Sequence, residues 1–149
     1  MTKRSASGDP RVRTRRRGSS LALWIDCELT RPWNDPAKDI ARKVQVRDGM
    51  FLVGVLDGQI VGTVMAGYDG HRGWVNYLAV DATYRRRGLA ASLMQEAERR
   101  LLALGCPKIN LQVRTTNSAA QRFYERIGYT VDDVVSLGRR FIEDDQPSS

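Results

Sequence analysis

The sequence predicts one mixed α/β domain, a sheet layered with helices. Three observations predict it. Two β-rich runs flank the dipeptide "DG" at 57–58. The strand-like run "WVNYLAV" (74–80) hands over, through "DATYRRR", to the helical pattern "GLAASLMQEAERRLLALG" (88–105). A second pair of this kind follows, "KINLQVR" (108–114) and then "NSAAQRFYERIG" (117–128). A chain of 149 residues suits one domain with a single sizeable core.

Each element has a local reason. Residues 1–18 hold Arg, Ser, Gly, Asp and Pro with almost no apolar side chain, which predicts a disordered basic tail and a domain spanning 19–149. Ser19 or Ser20 can cap a helix through "LALWIDCEL". "TRPWNDP" is a loop marked by Pro32 and Pro36. "AKDIARKVQVRD" predicts a second short helix, with Ile40 and Val44 four residues apart. The runs around Asp57-Gly58 predict a hairpin, and "HRGWVNYLAV" a third strand. Leu89, Leu93, Ala97, Leu101 and Leu104 lie along one face of the long helix, which Gly105 stops. Ile109, Leu111 and Val113 alternate in the next strand. Asn117 caps the last helix and Gly128 ends it. "YTVDDVVSLGRRFI" predicts one or two final strands before a polar tail.

The net charge of +7 invites a nucleic-acid reading, but residues 1–18 carry seven basic side chains against Asp9 alone. The rest of the chain is close to neutral, so no basic face for a specific nucleic acid is expected. The apolar runs are far shorter than a membrane span. Cys27 and Cys106 lie far apart without metal-like spacing and predict buried thiols in a reducing compartment. "TRRRGSSLALWI" has too short an apolar stretch, Leu21 to Ile25, for an export signal. A cytoplasmic protein is expected.

"YRRRGLAA" (84–91) places three arginines between a strand and a helix. A helix start presents backbone N–H groups and partial positive charge, which bind anions and phosphates in particular. Gly88 admits a ligand close to the backbone, and Arg85, Arg86 and Arg87 can add charge-assisted hydrogen bonds. The alternative is an exposed arginine-rich turn. Neither G-x-G-x-x-G nor G-x-x-x-x-G-K-[ST] occurs.

"RRRGLA" at 85–90 resembles the [QR]-x-x-G-x-[GA] motif of the GCN5-related N-acetyltransferases, the GNAT superfamily. "NYLAVDATY" before it resembles that family's central strand and loop, and "NSAAQRFYERIGY" (117–129) its second signature. The resemblance covers about residues 20–143. "RPWNDP" and "GYDGHRG" are similar to a small bacterial RimI-like subgroup.

The resemblance implies a GNAT fold, with a mixed central sheet of about six strands and flanking helices. The family's first strand would fall on "DPRVRTRRRGSS", where alternation is lacking, so that strand is expected to be absent or replaced. Acetyl-coenzyme A is the implied co-substrate, with no metal. It would lie in an opening between the strands at 74–80 and 108–114. Backbone of Leu78, Ala79 and Val80 would pair with the pantetheine arm, and one of these amides would polarise the thioester carbonyl. Amides of Arg86, Arg87, Gly88, Leu89, Ala90 and Ala91 would hold the pyrophosphate, with Arg85 at the first motif position. Asn117 would bond the pantetheine arm or serve as a helix cap. Tyr124 would be the general acid for the departing thiolate, or a packed core tyrosine.

The base is open. The ribosomal-protein alanine N-acetyltransferases carry a Glu five residues before the motif Asn, and here that residue is Gln112, which cannot take a proton. Glu28, Asp35, Asp69 and His71 are candidates through water. Trp24, Trp33 and Tyr68 are candidates to wall the acceptor pocket. The implied activity is transfer of an acetyl group to a primary amine by direct attack. The acceptor would be a small molecule or a protein N-terminus, with no membrane partner and a homodimer compatible. A non-catalytic acyl-coenzyme A-binding or regulatory module is the alternative.

Overall fold

The computed structural model describes residues 8–14, 36–46 and 48–142. The elements run in the order β1 (Val12–Thr14), α1 (Pro36–Val46), β2 (Phe51–Leu56), β3 (Gln59–Tyr68), β4 (Gly73–Val80), a 3-10 turn (Ala82–Tyr84), α2 (Leu89–Ala103), β5 (Ile109–Leu111) and α3 (Ser118–Arg126). Among the described residues five strands form one sheet in sequence order. The first three pairings are antiparallel, and β4 with β5 is parallel. This is the mixed α/β layer architecture that the sequence predicts. The expected helix at "LALWIDCEL" lies outside the described residues.

The β2–β3 hairpin turns at Asp57 and Gly58, whose φ angles of 53° and 75° suit a tight turn between twisted strands. Helix α2 covers one face of the sheet. Its Leu89, Leu93, Met94, Ala97 and Leu101 are buried in one cluster with Leu52, Val64, Val75 and Val80. Leu104, expected on that face, sits at the C-cap and is 55% exposed. The helix comes close because Gly54 and Gly62 face each other across β2 and β3. A Cβ at Gly62 would fall 3.0 Å from Leu93 Cδ1 and 3.2 Å from the Ala79 carbonyl oxygen.

Helix α1 is tied down by Lys43 in its last turn. The ammonium reaches Asp48 Oδ2 at 2.6 Å and donates to the Ala66 carbonyl on β3.

Three expectations are corrected. The first strand is present: Val12–Thr14 pairs with Gly54, Val53 and Leu52 of β2. The described part of the expected tail, residues 8–14, is therefore docked rather than disordered. What holds it is mostly polar. Arg100 donates to Thr14 Oγ1 at 2.6 Å and to the Gly49 carbonyl at 2.6 Å. Its Nε also meets the buried Glu96 carboxylate, which Arg99 engages from the other side. Burial raises the Glu96 carboxyl, but the two guanidinium groups outweigh it and hold the pKa below the ordinary value.

Among the described residues the final strands are not formed, and the sheet has five strands rather than about six. Side chains, not a backbone ladder, join residues 131–137 to β5. Asp132 takes Lys108 and Asn110, and Gln112 donates to Ser136. With its polar groups turned to β5, this segment leaves Val131 and Leu137 about nine-tenths exposed.

Gly62→Val is expected to destabilise the fold by about 1–3 kcal/mol through overpacking under α2. Urea unfolding measures this, and an unchanged midpoint would contradict the close helix–sheet contact.

Candidate active site

The centre of the site is a break in regular pairing on β4. The parallel ladder with β5 runs only from Gly73–Ile109 to Val75–Leu111. Beyond it, among the described residues, β4 stays paired with β3 alone. On that side the register shifts: Thr63 faces Ala79, while Met65 faces Asn76. Tyr77 and Leu78 thus oppose the single residue Val64, a bulge that bends β4 and increases its twist. Tyr77 takes a φ of 56°, uncommon for an aromatic residue. Its carbonyl accepts a 2.8 Å hydrogen bond from the buried Thr63 hydroxyl. The result is an opening in the sheet pairing beside Leu78, Ala79 and Val80, the stretch that the family resemblance implies for the pantetheine arm.

The end of β4 leads through Asp81 and the 3-10 turn into the arginine loop. Asp81 Oδ1 caps that turn at the Thr83 amide. Arg85 Nε donates to the Val80 carbonyl at 3.0 Å, so this arginine braces its own loop. The Arg87 guanidinium lies 5.2 Å from the Tyr84 ring centroid, a cation–π contact. Arg86 and Gly88 have φ angles of 66° and 74°. A Cβ on Gly88 would meet nothing within 4 Å. Among the described residues the loop therefore has room at Gly88, beside the first turn of α2, whose amides at Leu89, Ala90 and Ala91 have no intrahelical partner. Room, amides and charge fit a pyrophosphate group.

Tyr124 is carried on α3 and packs against the α2-side core with Leu78, Ile109 and Leu111. Phe123 and Tyr129 meet its ring edge-on at 5.1 and 5.8 Å. Among the described residues nothing is hydrogen-bonded to its hydroxyl. Burial pushes its pKa up to about 12, so it is a protonated phenol at neutral pH. Tyr129 is raised by burial and then by its 2.6 Å hydrogen bond to Glu98. Asn117 caps α3, its Oδ1 accepting from the Ala120 amide at 3.0 Å, which engages the oxygen and not Nδ2.

The base candidates separate. Glu28 and Asp35 lie outside the described residues, as do Trp24 and Trp33. Asp69 is a turn acceptor for the Arg72 and His71 amides, which hold its carboxyl below the ordinary range. His71 is exposed in the same turn. Tyr68 packs on the core edge and donates to the Gly70 carbonyl. Gln112 is exposed and bonded to Ser136.

Sequence reasoning missed one pair. The Tyr77 hydroxyl donates to Asp39 Oδ2, joining the bulge to α1 on the face opposite α2. Asp39 Oδ1 also meets Arg42 at 3.0 Å. Local sequence carries little sign of it, because the two residues are 38 apart. Among the described residues no group of three or more His, Cys, Asp or Glu is placed to hold a metal ion. No helix among them is long and apolar enough to cross a membrane.

The family described as "Acetyltransferase (GNAT) family" matches residues 19–129. The chain belongs to that family. GNAT members transfer acyl groups from acetyl-coenzyme A to amines, and acetyl-coenzyme A is their co-substrate. Among solved structures, this GNAT chain is similar to Ard1 from Thermoplasma volcanium, at 26% identity and a TM-score of 0.58. That match covers 65% of this chain and 64% of Ard1, so the chain spans just under two thirds of that relative. It is also similar to the NatC complex bound to Gag peptide and coenzyme A, at 26% identity over 73% of each chain and a TM-score of 0.64. The aminoglycoside N-acetyltransferase AAC(6')-Iy, at 19% identity, covers 80% of this chain and 88% of its own with a TM-score of 0.64, and shares the fold.

The raised phenol of Tyr124 makes stability depend on alkaline pH. The native state keeps this proton above pH ~10, where an unfolded tyrosine loses it. The contribution is full below pH ~10 and lost as pH rises through about 12. Urea unfolding between pH 9 and 11.5 is expected to show wild type losing stability more steeply than Tyr124→Phe. The difference is at most about 1.4 kcal/mol per pH unit. Parallel pH slopes would place the phenol in water.

Proposed function

We propose that this chain is an acetyl-coenzyme A-dependent N-acetyltransferase that acts on a primary amine by direct attack. One observation carries the reading: past its bulge β4 loses its β5 partner and leads into the amide-bearing loop, while a half-buried, protonated Tyr124 packs on the same core as Leu78. When bound, acetyl-coenzyme A supplies an acetyl thioester. Amides of Arg86, Arg87, Gly88, Leu89, Ala90 and Ala91 would hold its pyrophosphate. Backbone of Leu78, Ala79 and Val80 would align the pantetheine arm and polarise the carbonyl, and Asn117 could add a contact through Nδ2.

Tyr124 would hold the proton for the departing thiolate. A thiol has a pKa of ~8.5, below that of a phenol at ~10, so the thiolate leaves with modest help from a nearby O–H. The opposite face offers the Asp39–Tyr77 pair. A carboxylate there favours an approaching ammonium, and a phenol locked to it can orient the amine. An α-amine, with a pKa of ~7.7–8.0, is partly neutral near pH 7 and needs less help than a lysine amine at ~10.4.

Two acceptor classes follow from the similar proteins: small polyamines of the aminoglycoside type and protein N-termini. The RimI-like reading favours the second, and Gln112 in place of a carboxylate weighs against the mechanism of the alanine N-acetyltransferases. Gln112 also favours the second function, a non-catalytic acyl-coenzyme A-binding module. An acetyl-coenzyme A-consumption screen over free amines and N-terminal peptides separates them.

Two outcomes are expected. Gly88→Glu, which adds bulk and negative charge at a left-handed position facing open space, should abolish acetyl-coenzyme A binding by calorimetry. Unchanged affinity in the folded variant would remove the loop from the site. Tyr124→Phe should slow single turnover ~10²–10⁴-fold with little change in cofactor affinity. An unchanged rate would return Tyr124 to core packing.

A further inference from the structure

The expected tail supplies a residue that reaches the arginine loop. The Arg11 backbone carbonyl accepts from the Val55 amide at 2.7 Å, which fixes it beside β2. Its guanidinium is clamped by Asp9: Nη2 lies 2.6 Å from Oδ2, and Nε lies 3.1 and 3.0 Å from the two oxygens. Asp9 Oδ1 also accepts the Arg11 amide at 2.8 Å, and the carboxylate bonds Ser92 in the first turn of α2. The remaining arm, Nη1, donates to the Arg87 carbonyl at 3.2 Å, across 76 residues.

That last contact bears on the loop's chemistry. In a trans peptide the N–H points opposite to the C=O it is bonded to. Holding the Arg87 carbonyl toward Arg11 therefore turns the Gly88 N–H the other way. The loop needs this help, because Arg86 sits at a positive φ that costs a non-glycine residue of order 1–3 kcal/mol. If the Arg87–Gly88 peptide turned over, a carbonyl would face the anion in place of an amide. Arg11 itself carries little net field to the site, since Asp9 neutralises it.

We propose that Arg11, clamped by Asp9, is a positioning residue that sets the Gly88 amide for anion binding. It acts on the pyrophosphate part of the ligand and not on the pantetheine part. The inference rests on the reading that this loop holds the pyrophosphate of coenzyme A.

The test titrates the full chain with coenzyme A by calorimetry and with S-acetylpantetheine, which lacks the pyrophosphate, by NMR. Wild type must bind coenzyme A. Failure there removes the reading itself and the inference with it. Given wild-type binding, Arg11→Met is expected to weaken coenzyme A about tenfold, the scale of one charge-assisted hydrogen bond. S-acetylpantetheine affinity should stay the same. Arg11→Lys keeps a cation and one donor beside Asp9 and should recover part of the loss. If Arg11→Met does not fold, Arg11→Lys carries the test, with a loss of about threefold confined to coenzyme A. Unchanged coenzyme A affinity in the folded variants, or equal losses for both ligands, would overturn the proposal. Equal losses would reveal general structural support.

Discussion

The site depends on one buried hydrogen bond, from the Thr63 hydroxyl to the Tyr77 carbonyl. Thr63 is fully buried, so its hydroxyl must find a partner or cost free energy. The carbonyl it uses belongs to the residue that breaks the strand. A regular β4 would continue its ladder with β5 past Val75 and close the sheet. With the bulge held open, the same backbone that pairs with β3 on one edge faces an opening on the other. The bulge also carries the Tyr77 ring to Asp39 on α1, so one local irregularity organises both sides of the opening.

Much of this could be read from residues. The "DG" turn, the long amphipathic helix and the glycine ahead of it announce themselves through turn chemistry and period. So does Asn117 as a cap. The first strand did not, because Val12 is its only apolar residue and polar contacts from Arg100 and the Asp9–Val12 turn secure it. Hydrophobic alternation reports burial and is silent about strands pinned by guanidinium groups. The reverse error occurred at the other end. "YTVDDVVSLGRRFI" has β-branched composition, yet Asp132 and Ser136 direct the segment to side-chain partners on β5. Tyr77 is illegible for a third reason: nothing in "VNYLA" marks an aromatic residue for a left-handed conformation.

The arginines that raise the question in the sequence turn out to do separate work. Arg85 closes back on the strand end, Arg87 lies on Tyr84, and Arg11 reaches the Arg87 carbonyl. Charge counted along a sequence suggests a uniform electropositive patch. In the fold, two of the three loop arginines spend side-chain contacts on shaping the loop. What the loop would then offer an anion is chiefly backbone amides, which are less sensitive to ionic strength than a side-chain ion pair on the surface.

The segment from Val131 to Ile142 has a different consequence. Val131, Val134, Val135, Leu137, Phe141 and Ile142 stand exposed beside a terminal strand only three residues long. Interleaved with them are Asp132, Asp133, Arg139 and Arg140, the kind of charges that keep apolar stretches from joining edge to edge. Dispersal of the protein in solution thus leans on electrostatic gatekeeping at this end, where elsewhere it leans on burial. Added salt, which shortens the reach of those charges, acts directly on the colloidal behaviour of the molecule while leaving its core untouched.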